Sequence, residues 1–151
     1  MVLYPGSGDI MRASRFSPGD GIIDYTLFRF VADSAEEAAY LVALLNAPCL
    51  NDAFVQSRSS GRHFQLHPWR KVPIRRFDPG NSKHQALARL TEKAEAVTKG
   101  WLSGSSSEVG RLGQIGLSSR IRELLSAEGI FAEIDSIVRE ILPDQAGGRC
   151  G

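Results

Sequence analysis

The 151-residue sequence has no aspartate or glutamate between Ala53 and Phe77. It is poor in other things too, and each shortage excludes a class of protein. Its two cysteines, Cys49 and Cys150, are too few for a disulfide framework or a cysteine-based metal motif. That scarcity points to a reducing, cytoplasmic setting. No apolar run approaches the roughly 20 residues of a membrane span, so no membrane partner is expected. Met1-Val2-Leu3-Tyr4-Pro5-Gly6 shows no basic stretch followed by an apolar one, so no secretory signal is read. His63 and His67 have helical spacing, but Gly61 and Pro68 argue against a helix there, and no metal site is expected. No nucleophile elbow is present, and the acid-free segment lacks the carboxylates of a metal-dependent nuclease. Gly110, Gly113 and Gly116 recur every third residue, which does not fit a dinucleotide fingerprint. No catalytic residue is assigned.

What fills the acid-free segment is positive charge. Arg58, Arg62, Arg70, Lys71, Arg75 and Arg76 lie within it, beside His63, His67 and the aromatics Phe54, Phe64 and Trp69. The whole chain carries 18 Lys+Arg against 17 Asp+Glu; without these six cations the balance is 12 against 17, a net of about −5. The near-neutral total therefore hides a basic segment on an acidic body, the charge pattern of a polyanion-binding surface. A basic run is also what an ordinary solvated face looks like. The choice of cation favours the first reading. Arginine outnumbers lysine five to one here, and its planar donor fork suits phosphates and guanine edges.

Hydrophobic content of 42% and charged content of 23% are those of a folded globular chain of about one domain. Residues 1–21 read as a loop-rich start, with room for a short strand. Residues 22–81 read as strand, helix, basic loop and strand. The β-branched and aromatic run 22–32 is the first strand, with Tyr25, Leu27 and Arg29 on one face and Thr26, Phe28 and Phe30 on the other. Ser34 and Glu37 predict a capping box opening a helix whose stripe is Ala38, Leu41, Val42 and Leu45, stopped at Asn46-Ala47-Pro48. A shorter helix from about Cys49 to Gln56 buries Leu50 and Phe54. Trp69 to Phe77 reads as part strand, with Val72 and Ile74 inward and Pro73 at an edge.

Residues 82–142 read as helical. Ser82 and Gln85 predict a second capping box, and a long helix to about Lys99 with Leu87, Leu90, Ala94 and Val97 buried. His84 is expected to be exposed. A Gly/Ser-rich break at 100–116 is read as a flexible connection. Helices over about Ser119 to Ala127 and Ile130 to Leu142 follow, the last with Ile130, Ile134, Ile137, Val138 and Ile141 on one face. Residues 143–151 read as a flexible tail. The fold class is α+β: a small mixed β region, then a helical half with long antiparallel helices.

An ordered set of segments resembles a known family. Glu36 to Pro48 comes first. Gly61-Arg62-His63-Phe64, Pro68-Trp69-Arg70-Lys71-Val72-Pro73-Ile74 and Phe77-Asp78-Pro79-Gly80-Asn81 with His84 follow, and then Glu133-Ile134-Asp135-Ser136-Ile137-Val138. The set is similar to the C-terminal target-recognition region of adenine-specific DNA methyltransferases of restriction-modification systems. The resemblance covers roughly residues 22–142. The family's catalytic Asn/Asp-Pro-Pro-Tyr/Phe motif is absent; Asp78-Pro79-Gly80-Asn81 lacks its second proline and its aromatic. The family's glycine-containing turn for S-adenosylmethionine is absent too. The resemblance implies a recognition fragment, non-catalytic by itself: an excised piece, a truncated gene or a separate subunit. S-adenosylmethionine is implied only for the full enzyme.

The expected DNA-binding residues are Arg58, Ser59, Arg62, His63, Gln65, His67, Trp69, Arg70, Lys71 and Arg75. Arg58, Arg62, Arg70 and Lys71 are assigned to phosphates, and His63 and Gln65 to base edges. Trp69 is either core or a stacking surface. Arg75 and Arg76 could instead pair with acids on the helices, and because residues alternate in a strand only one of the two is expected to join the patch. The expected partners are double-stranded DNA and a methyltransferase catalytic domain or subunit. The alternative is a protein-interaction module that docks such a partner through the helical tail.

Overall fold

The computed structural model describes residues 1–17, 19, 23–56, 58, 63–64, 72, 74–105 and 109–142. Three strands form one antiparallel sheet: β1 (Val2–Pro5), β2 (Ser14–Arg15) and β3 (Leu27–Phe30), in the order β2-β1-β3. Among the described residues, the following helices come next: α1 (Ala35–Asn46), α2 (Pro48–Gln56), α3 (Ser82–Gly104), α4 (Gln114–Ala127) and α5 (Ile130–Ile141). The architecture is α+β.

The sheet is narrow but well registered. Val2 stands opposite Phe30 and Tyr4 opposite Phe28, so these four share the face that packs on the helices. Leu27 and Arg29 point the other way and are exposed. The strand expected over 22–32 is therefore shorter, although its alternation is kept. Asp24 is the reason. Its carboxylate accepts from Thr26 N–H at 2.7 Å and its carbonyl from Leu27 N–H at 3.1 Å, so a turn replaces the first part of the strand. The central strand is β1. Its close approach to β3 needs Gly6, where a Cβ would come within 2.9 Å of Thr26 O.

Helix α1 is the centre of the molecule. All eight residues from Ala38 to Leu45 are buried, so the helix is enclosed all round rather than along one stripe. Its small side chains let neighbours close in: Thr91 of α3 donates to Ala39 O at 2.8 Å. The cap is half as predicted. Ser34 accepts from Glu37 N–H at 3.0 Å, but the Glu37 carboxylate reaches past it to Asp33 N–H at 2.6 Å. Helix α2 follows after Ala47, and the Asp135 carboxylate of α5 caps it by accepting from Cys49 N–H at 3.0 Å. Cys49 is partly buried, and burial with Asp135 alongside pushes its thiol up to about 12, an inert sulfur.

The second predicted cap is corrected by one residue. Asn81, not Ser82, caps α3, accepting from Lys83 N–H at 2.9 Å and His84 N–H at 3.4 Å. Gln85 instead donates to Pro79 O at 2.6 Å. Helix α3 also continues beyond Lys99 to Gly104, and α4 begins at Gln114 rather than Ser119. The break read over 100–116 is thus largely helical among the described residues. Packing explains the difference: Leu102 is drawn in beside α4, and Leu112 lies so close to Gly116 that a Cβ there would meet it at 3.1 Å.

Gly129 ends α4 and starts α5 with φ of +71°, a conformation that favours glycine. Lys83 meets Glu140 at 2.7 Å and Lys93 meets Glu133 at 3.8 Å, so α3 and α5 run antiparallel as expected. Ile130, Ile134, Val138 and Ile141 are buried, and the α5 stripe is core. A single hydrophobic cluster joins Val2 and Tyr4 of the sheet to Val138 of the last helix. Among the described residues, no helix is long and apolar enough to cross a membrane.

Candidate nucleic-acid interface

The basic segment leaves α2 and is held to the core at intervals. Phe54 is fully buried before it. Phe64 is 3% exposed, and its N–H donates to Gly6 O at 2.9 Å. His63 beside it is exposed and forms an isolated antiparallel bridge with Ser7. Val72 is fully buried, and Ile74 and Phe77 pack on the core. The expectation that Val72 and Ile74 point inward holds, but the strand expected there is not found among the described residues. Ile74 N–H bonds to Val72 O at 2.7 Å, within the segment and not across to a neighbouring strand. Ser59, Arg62, Gln65, His67, Trp69, Arg70 and Lys71 lie outside the described residues.

Of the three described cations, each has a different setting. Arg58 is turned inward, with a side chain only 17% exposed. Its Nε donates to Val55 O at 2.8 Å and its Nη1 to Gly8 O at 3.0 Å, and the guanidinium lies over the Phe64 ring at 5.8 Å. Asp9 is 4.0 Å away. Nothing in the local sequence signals this role, because both carbonyls are backbone groups and Gly8 is fifty residues distant. Arg58 joins the end of α2 to the β1–β2 connection. Arg58→Ala is therefore expected to lower stability by about 1–3 kcal/mol, since both carbonyls lose a charged donor. Arg58→Lys should not restore it, because one ammonium cannot reproduce the fork. Urea denaturation checks this; unchanged stability would return Arg58 to a purely surface role.

Arg75 and Arg76 are both exposed. Arg76 pairs with Asp33, just before α1, at 3.5 Å, with both side chains more than four-fifths exposed. Such a pair is worth little and yields readily to a competing anion. Among the described residues, the Arg75 side chain has no ion-pair partner. Its carbonyl is fixed, accepting from the buried Tyr40 hydroxyl at 2.9 Å. The strand alternation expected to separate the pair is absent, and both reach solvent. Arg29, exposed on the outer face of β3, is a further cation that charge counting along 53–77 does not find.

Behind Arg75 is a ring cluster. His84 is 3% exposed, not exposed as expected. Tyr40 lies 4.6 Å and Phe77 6.2 Å from it, centroid to centroid, and the two rings close over a side chain that sequence places on the outer first turn of α3. Its Nδ1 accepts from Asp78 N–H at 3.0 Å, which puts the proton of the neutral ring on Nε2. Burial holds the imidazole below its ordinary value of 6.5; Asp78 opposes that shift and Arg75 adds to it. A folded-state value below the unfolded one means the unfolded chain takes up the proton first. The stability His84 confers is then present above about pH 6.5 and lost as the pH falls through its folded value. Urea midpoints taken from about pH 7.5 to about pH 5.5 should fall more in the wild type than in His84→Gln. Equal falls would assign the pH dependence to other groups.

The turn that most resembles a catalytic motif is occupied structurally. Asp78 Oδ1 accepts from Gly80 N–H at 2.8 Å, and Asn81 Oδ1 is the α3 cap. Both Oδ1 atoms thus serve the local backbone. Compared with protein-family models, curated proteins and solved structures, the chain matches none.

Proposed function

We propose that this chain binds double-stranded DNA as a target-recognition fragment of a restriction-modification adenine-specific DNA methyltransferase, and that it is non-catalytic by itself. The observation that carries this reading is the acid-free segment 53–77, with its six cations, tied to the core at Phe54, Phe64 and Val72. Phe64 and Val72, both buried, fix where the segment leaves and rejoins the core. Arg75 rests on a carbonyl fixed by Tyr40, so it too is supported from below. The resemblance supplies the enzyme class. On this reading S-adenosylmethionine and the catalytic residues belong to the rest of such an enzyme, because the sequence lacks both family motifs and Asp78 Oδ1 and Asn81 Oδ1 serve a turn and a helix cap.

The docking alternative draws less support. The apolar face of α5 faces the core, so docking through the helical tail would have to use its polar surface. Fluorescence anisotropy with a labelled duplex tests the proposal. The wild type should bind, and Arg62→Ala/Arg70→Ala should bind weakly while keeping the wild-type circular dichroism spectrum. Retained affinity in the folded double variant would overturn it.

A further inference from the structure

Apart from the basic segment, an apolar cleft of about 400 Å3 lies between α1, α3, α4, α5 and the residues leading into β2. Its walls include Val42, Ala94, Leu102, Ile121, Leu125 and Ile134. The volume is at the small end of the range of about 300–1,000 Å3 typical of small-molecule sites. Two of its polar wall groups are already satisfied. Asn46 exchanges hydrogen bonds with the Ala13 backbone at 3.0 and 2.8 Å, and Thr91 donates to Ala39 O at 2.8 Å. They do not call for a polar ligand body.

The charges around the cleft are unbalanced. Arg12, Lys99 and Arg122 line it, and among the described residues the one carboxylate that does so, Glu95, is held by Arg15, with Nε 2.8 Å from Oε1. Among the described residues, no carboxylate forms an ion pair with Arg12, Lys99 or Arg122. Glu123, one residue from Arg122, is taken by Arg120 at 3.2 Å. Arg122 is only partly exposed and lies over the Phe131 ring at 5.0 Å. Burial, and then the charge of Arg12, lowers its pKa. Two like-charged guanidiniums at an apolar cleft, one of them partly desolvated, leave positive charge that a ligand anion would compensate.

We propose that this cleft binds a small amphipathic carboxylate, its hydrocarbon or aromatic body between the helices and its carboxylate between Arg12 and Arg122. A neutral apolar molecule would fill the same space and leave both guanidiniums uncompensated. A carboxylate matches the arginine fork in two parallel hydrogen bonds. The site is separate from the basic segment and does not depend on the DNA reading.

The test is calorimetric titration of the full chain with decanoate and with decanol, which share a chain length and differ in charge. Decanoate should bind at one site, with decanol weaker by about tenfold or more, the scale of a charge-assisted contact. Arg12→Ala/Arg122→Ala should bring decanoate down to the level of decanol. Ala94→Phe, which fills the cleft from α3, should abolish both. Absent decanoate binding, equal affinities in the wild type, or a preference that survives in the arginine double variant would each overturn the proposal. The double variant decides the question on its own should Ala94→Phe not fold.

Discussion

Tyr40→Ala is expected to destabilise the protein by about 3–5 kcal/mol, the cost of removing a large buried aromatic and leaving a cavity. Against a total stability of about 5–15 kcal/mol for an ordinary domain, that approaches unfolding. Tyr40 is fully buried in the central helix. Its ring lies 5.5 Å from Phe77 and 4.6 Å from His84, and its hydroxyl donates to Arg75 O. Burial raises the pKa of that hydroxyl far above its ordinary value, so it stays a donor at any physiological pH. Tyr40→Phe should cost only about 1 kcal/mol, since it keeps the ring and loses one hydrogen bond. The pair separates packing from polar support, and urea denaturation reads both. A Tyr40→Ala loss no larger than that of Tyr40→Phe would mean that the ring cluster does not hold the 74–78 segment to α1.

Much of the fold is legible in the sequence where local signals agree. Ser34 followed by Glu37, a stripe from Ala38 to Leu45 and a stop at Pro48 define α1 closely. Ile130, Ile134, Val138 and Ile141 mark α5 because a strong apolar face about three turns long has few other uses. The discrepancies come where tertiary packing overrides a local rule. Gly100, Gly104 and Gly116 read as breakers but lie within helices, and at Gly116 a Cβ would crowd Leu112. Asn81 displaces Ser82 as a cap because the Asp78–Gly80 turn brings Asn81 into position first. The apolar run Val2-Leu3-Tyr4, all of it buried, is a strand signal hidden by the glycines and prolines around it.

The candidate site is less legible than the fold, for a physical reason. Charge counting finds cations but not their direction. Arg58 points inward because two backbone carbonyls and a ring wait for it, and His84 is covered by rings from α1 and from Phe77. Neither fact has a signature within a few residues of the side chain concerned. Arg12 and Arg122 come to line one cleft only once α4 is placed.

The inward turn of Arg58 changes the expected strength of DNA binding. On the proposed DNA reading, with Arg58 engaged internally and Arg76 paired with Asp33, the segment's other four cations, Arg62, Arg70, Lys71 and Arg75, are the ones assigned to phosphates. Each phosphate neutralised contributes about −0.9 to the slope of log affinity against log salt on duplex DNA. Four contacts give a slope between about −3 and −4, or roughly a hundredfold loss of affinity from about 50 to about 200 mM salt. Arg62→Ala/Arg70→Ala should bring the slope to about −2, whereas Arg58→Ala should lower stability more than it alters the slope.

The most direct test is therefore duplex DNA affinity by fluorescence anisotropy across a salt series, for the wild type and the Arg62→Ala/Arg70→Ala variant. A slope between about −3 and −4 that falls by about 2 in the folded variant is the predicted result. No duplex binding at low salt, or a slope that the double substitution leaves unchanged, would contradict the assignment of this segment to DNA.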